Sequence, residues 1–156
     1  MASEIIQIRP ATPEDVVDLR HRVLRAGLPR ASAVFEGDHE PETRHLVAVL
    51  TDGTVVGCVT YLRRPPPFDP SREAWQLRGM AVAPSLQGRG VGARLLVEGE
   101  RTVVAAGADL LWCNARTRAV PFYRKHGWEP VGPEFEIETA GPHQRMRKAL
   151  TTGRVG

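Results

Sequence analysis

An apolar run from Trp75 to Val82 passes through Pro84 and a glycine-spaced stretch, Gln87-Gly88-Arg89-Gly90-Val91-Gly92, into a run with Val91, Leu95, Leu96 and Val103 at helical spacing. A strand that hands over to a helix through glycines constrains this chain more than any other feature. Glycine lets the backbone turn sharply and approach a ligand closely, while the unpaired amides and dipole of a helix N-terminus favour an anion. The segment therefore reads either as a strand, phosphate loop and helix, or as a strand and helix joined by an ordinary tight turn.

The rest of the chain supplies strands and helices around it. Ile5, Ile6 and Ile8 read as a first strand, and Thr12-Pro13-Glu14-Asp15 offers an N-cap, a first-turn proline and acids suited to a helix start. Val16, Leu19 and Val23 then fall on one helical face that Gly27 and Pro29 terminate. Residues 29–44 read as a loop or short helical turns, placed to cover a substrate cleft or to serve as a plain surface connection. Leu46 to Leu50 and Thr54 to Leu62, joined by Thr51-Asp52-Gly53, read as a hairpin. Leu110 to Cys113 reads as a short strand, Ala119 to His126 as a helix closed by Gly127, and Trp128 to Val131 and His143 to Leu150 as final strands.

A chain of 156 residues with 42% apolar content fills one core, so residues 1–156 are expected to form a single domain. No stretch approaches the roughly 18 to 20 apolar residues of a membrane span, and Glu4 and Arg9 do not make a signal segment. A cytoplasmic protein without membrane association is expected. Cys58 and Cys113 are too far apart for a zinc knuckle or a disulfide framework, so reduced thiols are expected. The net charge of +3 comes from arginines scattered among acids rather than from a basic stripe, which argues against a nucleic-acid partner. His39 and His45, with Glu40 and Glu42, lack the spacing of a His-Glu-x-x-His zinc site, and no metal is expected.

Two nucleotide motifs compete for the glycine loop. A Walker loop needs Gly-Lys-Ser/Thr where this chain continues Gly92-Ala93-Arg94, which leaves no lysine or hydroxyl for a triphosphate and its magnesium. Gly88-x-Gly90-x-x-Ala93 fits the loose dinucleotide fingerprint, with Asp109 about 20 residues on. That fingerprint, however, opens a long alternating sheet, whereas this loop is mid-chain and its acid precedes the next strand. A dinucleotide-binding oxidoreductase stays as an alternative.

Gln87, Gly90 and Gly92 match the Gln/Arg-x-x-Gly-x-Gly/Ala hallmark of the GNAT superfamily of N-acetyltransferases, which this chain resembles. The resemblance continues through the following helix and strand to Ala119-Val-Pro-Phe-Tyr123-Arg-Lys-His-Gly127-Trp128, similar to the family's Ala-x-x-x-Tyr-x-x-x-Gly-Phe segment with tryptophan for phenylalanine. It covers roughly residues 72 to 130. Gly141-Pro142-His143-x-x-Met146 further resembles a group of small bacterial members.

The resemblance implies an α/β (α+β) fold, with a mixed, mostly antiparallel sheet of six or seven strands flanked by about four helices. It implies an N-acetyltransferase that moves an acetyl group from acetyl-coenzyme A to a primary amine of a small molecule or peptide. The amides of Gly88, Arg89, Gly90, Val91, Gly92 and Ala93, following Gln87, would hold the coenzyme diphosphate. The backbone of Met80, Ala81 and Val82 would hold the pantetheine arm, and Arg116 stands where relatives place an asparagine near the coenzyme. Tyr123 is the expected donor to the departing thiolate; its alternative is a core aromatic. Gln76 falls where some relatives carry a glutamate and cannot act as a base, so His143 and Glu136, with Glu73 behind them, are the candidate bases. Arg78 could bind a substrate carboxylate or a phosphate. The same residues would suit an acyl-coenzyme A-binding regulator without activity, and a homodimer is the commonest assembly for such an enzyme.

Overall fold

The computed structural model describes residues 6–138 and 140–151. Ile5, read above as part of the chain's first strand, lies outside them. The strands are β1 (Gln7–Ala11), β2 (Arg44–Val49), β3 (Val55–Arg63), β4 (Trp75–Val82), β5 (Leu110–Arg116), β6 (Glu129–Pro130), β7 (Phe135–Ile137) and β8 (Gly141–Ala149), and the helices are α1 (Pro13–Leu24), α2 (Val91–Ala105) and α3 (Val120–Lys125). The chain folds as two compact units: the part up to Leu62 together with Gly79–Val103, and Arg63–Arg78 together with the part from Val104 onward. β4 gives its second half to the first unit and its first half to the second.

In the first unit β1 and β3 flank β2, both antiparallel to it, and β4 follows β3. The Asp-Gly turn forms between β2 and β3 as its sequence demands: Gly53 takes φ +90°, and Asp52 Oδ1 accepts from the Thr54 amide at 2.9 Å and from its hydroxyl at 2.7 Å. Helix α1 starts on a reciprocal cap, in which Thr12 Oγ1 accepts from the Asp15 amide at 3.3 Å and Asp15 Oδ2 accepts from the Thr12 amide at 2.9 Å. Its buried face, Val16 and Leu19, packs with Val47, Val49, Cys58 and Ala81. Each such aliphatic side chain contributes roughly 1.5–3 kcal/mol by leaving water.

In the second unit β4 runs parallel to β5 at Trp75↔Leu111 and Gln76↔Trp112, and β5 is antiparallel to β8 along its whole length. β8 in turn carries β6 and β7. Ala74, Leu110 and Trp112 form a core with Phe68, and the Trp112 indole N–H donates to the Arg64 carbonyl at 2.8 Å, which fixes the proline-rich connection beneath it.

The fold is the expected mixed, mostly antiparallel α/β arrangement, with three differences of detail. Among the described residues there are three α-helices rather than about four, and residues 29–44 form a 3-10 turn at Arg30–Ala33 and irregular turns. The described residues form eight strands because β6 and β7, only 2 and 3 residues long, add to the count, and β7 has too few residues for an alternation to show in sequence. The final strand begins at Gly141, whose φ of +85° turns the chain into it. Among the described residues no helix is long and apolar enough to cross a membrane.

Candidate active site

The glycine loop lies wholly in the first unit. After a 3-10 turn at Pro84–Leu86, Gln87 Nε2 donates back to the Val82 carbonyl at 3.0 Å and ties the loop to the end of β4. Gly88 and Gly90 hold φ of +80° and +84°, and a β-carbon at either would meet nothing within 4 Å. Backbone conformation, not crowding by the protein, makes glycine the fitting residue there. The first amide of the helix ladder to find a partner is that of Arg94, which donates to the Gly90 carbonyl at 3.1 Å. Among the described residues none accepts a hydrogen bond from the backbone amides of residues 88–93. Residues 87–90 are exposed. These six donors at a helix start suit a diphosphate in number, position and sign. Helix α2 is held close to the sheet because Gly57 of β3 has no side chain; a β-carbon there would stand 2.9 Å from Leu95 and 3.0 Å from Val91.

Upstream of the loop, Gly79 takes φ +63° inside β4, so the strand bends before Met80, Ala81 and Val82. Ala81 is buried in the core, while Met80 and Val82 are half-buried. An isolated glycine within a strand pattern carries the signal for such a bend.

Behind Gly79 stands a buried polar network that periodicity alone does not reveal. Arg20 of α1 is fully buried and donates to Asp38 Oδ2 at 2.7 Å, Asp38 Oδ1 at 3.0 Å, the Ala33 carbonyl at 3.0 Å and Thr60 Oγ1 at 2.7 Å. Its guanidinium lies 4.0 Å from the Phe35 ring centroid, and a β-carbon at Gly79 would come within 2.8 Å of its Nε. His45 Nε2 faces the Asp38 carbonyl at 2.9 Å, which can only accept, so that nitrogen carries the proton. Nδ1 then accepts from the Thr60 hydroxyl at 2.7 Å, giving a directed chain from Arg20 through Thr60 and His45 back to Asp38. Burial would raise the Asp38 carboxyl, but its bonds to Arg20 and to the Phe35 amide outweigh it and hold the group below the ordinary carboxylate range.

The remaining expected residues belong to the second unit. Tyr123 of α3 is buried, its ring edge-on to Trp128 at 5.2 Å and to Phe122 at 5.3 Å. His143 is buried, and its Nδ1 donates to the Gly141 carbonyl at 2.8 Å, since a carbonyl can only accept. In the neutral ring Nε2 is then the nitrogen with the lone pair. Glu136 pairs with Pro142, one step out of phase with the Phe135↔His143 pair, so it stands on the opposite face of β7 from His143 and is exposed. Arg116 pairs with His143, which places both on one sheet face. Burial and then the like charge of Arg118 lower the pKa of Arg116. Asn114 pairs with Arg145 on that same face, and sequence reading passed over both, since neither breaks a strand pattern. Gln76 is buried beside Trp112 in the sheet, and Glu73 is exposed.

Asp109, the acid of the dinucleotide reading, is bound by Arg72 at 3.0 Å ahead of β5, and the mostly antiparallel sheet does not suit that fingerprint. Among the described residues no cluster of three or more His, Cys, Asp or Glu is arranged to hold a metal ion. Cys58 and Cys113 are free and buried, and burial pushes the Cys58 thiol up to about 12 and the Cys113 thiol higher still.

Known proteins share the fold. An uncharacterized N-acetyltransferase of Bacillus subtilis, YitI, is 30% identical over 150 residues, covering 96% of this chain and all of that protein. The crystal structure of Escherichia coli ElaA superposes with a TM-score of 0.74 at 19% identity, over 92% of this chain and 99% of that one. An aminoglycoside 6'-N-acetyltransferase solved with coenzyme A superposes with a TM-score of 0.71 at 18% identity, over 92% and 96% of the two chains. The model of the acetyltransferase (GNAT) family matches residues 11–128, from the end of β1 through the glycine loop to just past the Tyr123 helix, and the chain is an acyltransferase that belongs to that family.

Proposed function

We propose that this enzyme moves an acetyl group from acetyl-coenzyme A to a primary amine of a small molecule or peptide, and that residues 1–156 work as one domain. The observation that carries the reading is the row of six amides, 88–93, at the start of α2, from which no described residue accepts a hydrogen bond. The span of the family match, residues 11–128, draws on both compact units and supports a single working domain.

Acetyl-coenzyme A supplies an activated thioester; the protein must bind it, free the acceptor's lone pair and return a proton to the thiolate. The amides of residues 88–93 bind the diphosphate, with Arg89 adding charge at the exposed edge. Past the bend at Gly79, the backbone of Met80, Ala81 and Val82 binds the pantetheine amides as an added strand would. Tyr123 gives its proton to the thiolate. A phenol with a reference pKa near 10 does this for a thiol near 8.5 when the two are held in place. His143 takes the amine proton at Nε2, because its other nitrogen is committed to Gly141. Glu136, on the far face of β7, receives no role.

Thiol release from acetyl-coenzyme A across a panel of amines tests this reading. Tyr123→Phe is expected to lower kcat by roughly 10²- to 10⁴-fold while coenzyme binding persists. Equal turnover in the variant would remove Tyr123 from the chemistry, and absence of thiol release with every amine would remove acetyl transfer itself.

A further inference from the structure

The β5 and β8 strands present one face of the second unit on which two polar side chains, Asn114 and Arg145, each keep a shielded atom without a partner among the described residues. The register pairs Asn114↔Arg145 and Arg116↔His143 put these four side chains on the same side, and Phe135↔His143 adds an aromatic ring. The Arg145 guanidinium lies 4.5 Å from the Phe135 ring centroid, and the His143 ring stands 6.1 Å from that centroid. No acceptor among the described residues bonds the Arg145 side chain, and its Nε is shielded from water. Its register partner Asn114 has a shielded Oδ1 that receives no donor. A donor without an acceptor and an acceptor without a donor therefore stand side by side and do not bond each other. Leaving such atoms dry and unpaired costs about 1–3 kcal/mol each, more for a charged group. Glu134, just before β7, accepts from Thr117 at 2.8 Å and forms no ion pair with Arg145. Arg116 adds a second positive charge along the same face.

We infer that this face anchors the acetyl acceptor and that the acceptor is an amine carrying a carboxylate, an amino acid or a peptide with a free C-terminus. This rests on the acetyltransferase reading above. The carboxylate supplies the acceptor atoms that Arg145 lacks, with Arg116 beside it. The amine supplies the N–H that Asn114 Oδ1 lacks and lies within reach of His143 Nε2. Arg145 and His143, two positions apart on one strand face, are roughly 7 Å apart along it, a spacing that an amine and a carboxylate on one small molecule can bridge with these side chains. The guanidinium lies over the Phe135 ring, 4.5 Å from its centroid, a contact that steadies it for a planar carboxylate.

The test uses matched amines that differ only in the carboxylate: L-phenylalanine against phenethylamine, and L-lysine against cadaverine. Thiol release is measured for the wild type, Arg145→Gln and Arg145→Lys. At least one carboxylate-bearing member should exceed its partner in kcat/KM by roughly tenfold to a hundredfold, the measure of one or two charge-assisted hydrogen bonds. That ratio should fall to near one in Arg145→Gln and recover in part in Arg145→Lys. Calorimetry with N-acetyl-L-phenylalanine and N-acetylphenethylamine gives the same comparison without turnover. Turnover with no carboxylate preference, or a preference untouched by Arg145→Gln, overturns the acceptor assignment and leaves acetyl transfer standing. Arg145-dependent binding of N-acetyl-L-phenylalanine without thiol release from any amine, the wider panel included, supports the anchoring face and overturns acetyl transfer. Neither turnover nor binding overturns both.

Discussion

Arg20 and Asp38 form a buried bidentate pair, with contacts of 2.7 and 3.0 Å and essentially no exposure of either side chain. The pair joins α1 to the irregular segment before β2, which has few regular backbone bonds of its own. Arg20 thereby stays immediately behind the bend of β4 at Gly79.

Removing one member leaves the other charged and dry. Asp38→Asn is expected to lower stability by about 3–5 kcal/mol in denaturant unfolding. The Asp38 carboxyl is held below its unfolded value, so its contribution is complete above the unfolded pKa of about 4 and is lost as pH falls through the folded value. Wild-type stability should therefore decline through that acid window more steeply than stability of Asp38→Asn. Parallel declines would contradict a stabilising role for the pair.

Gly99 lies in the middle of α2, where alanine would ordinarily be favoured by roughly 1 kcal/mol. Here a β-carbon would fall 2.2 Å from the Tyr61 hydroxyl oxygen and 2.3 Å from its ring, and Tyr61 is fully buried. Gly99→Ala is expected to destabilise by about 1–3 kcal/mol despite its better helix propensity, read as a lower midpoint in urea. A higher midpoint would show that the ring yields freely.

Gly90 needs its positive φ, yet a side chain there would project into open space. Gly90→Ala should cost only about 1–2 kcal/mol in stability while weakening coenzyme binding, because the strain tilts the amides that follow it. Unchanged affinity for acetyl-coenzyme A, measured by calorimetry, would mean that these amides do not grip the ligand.

Local chemistry was legible in the sequence, and long-range pairing was not. Thr12 and Asp15 announce the start of α1, Asp52-Gly53 announces the hairpin, and Trp75 to Val82 bounds β4 as observed. Each depends on neighbours within a few residues. Arg20 shows the opposite case. It sits at helical spacing from Val16, a position that should be apolar, and its partner Asp38 comes 18 residues later from a segment without periodicity. Arg145 and Asn114 read as ordinary strand residues until the antiparallel register of β5 and β8 sets them side by side. Glu136 and His143, both proposed as bases from composition and position, part company once the pleat of β7 is known.

The amides of residues 88–93 remain the centre of the account, and a proton–nitrogen correlation spectrum titrated with coenzyme A reads them directly. Binding through the diphosphate predicts that the largest shifts fall on the amides of Gly88, Gly90 and Gly92, and that dephosphorylated pantetheine leaves those peaks in place. Saturating coenzyme A that moves none of them, or pantetheine that moves them equally, would contradict it.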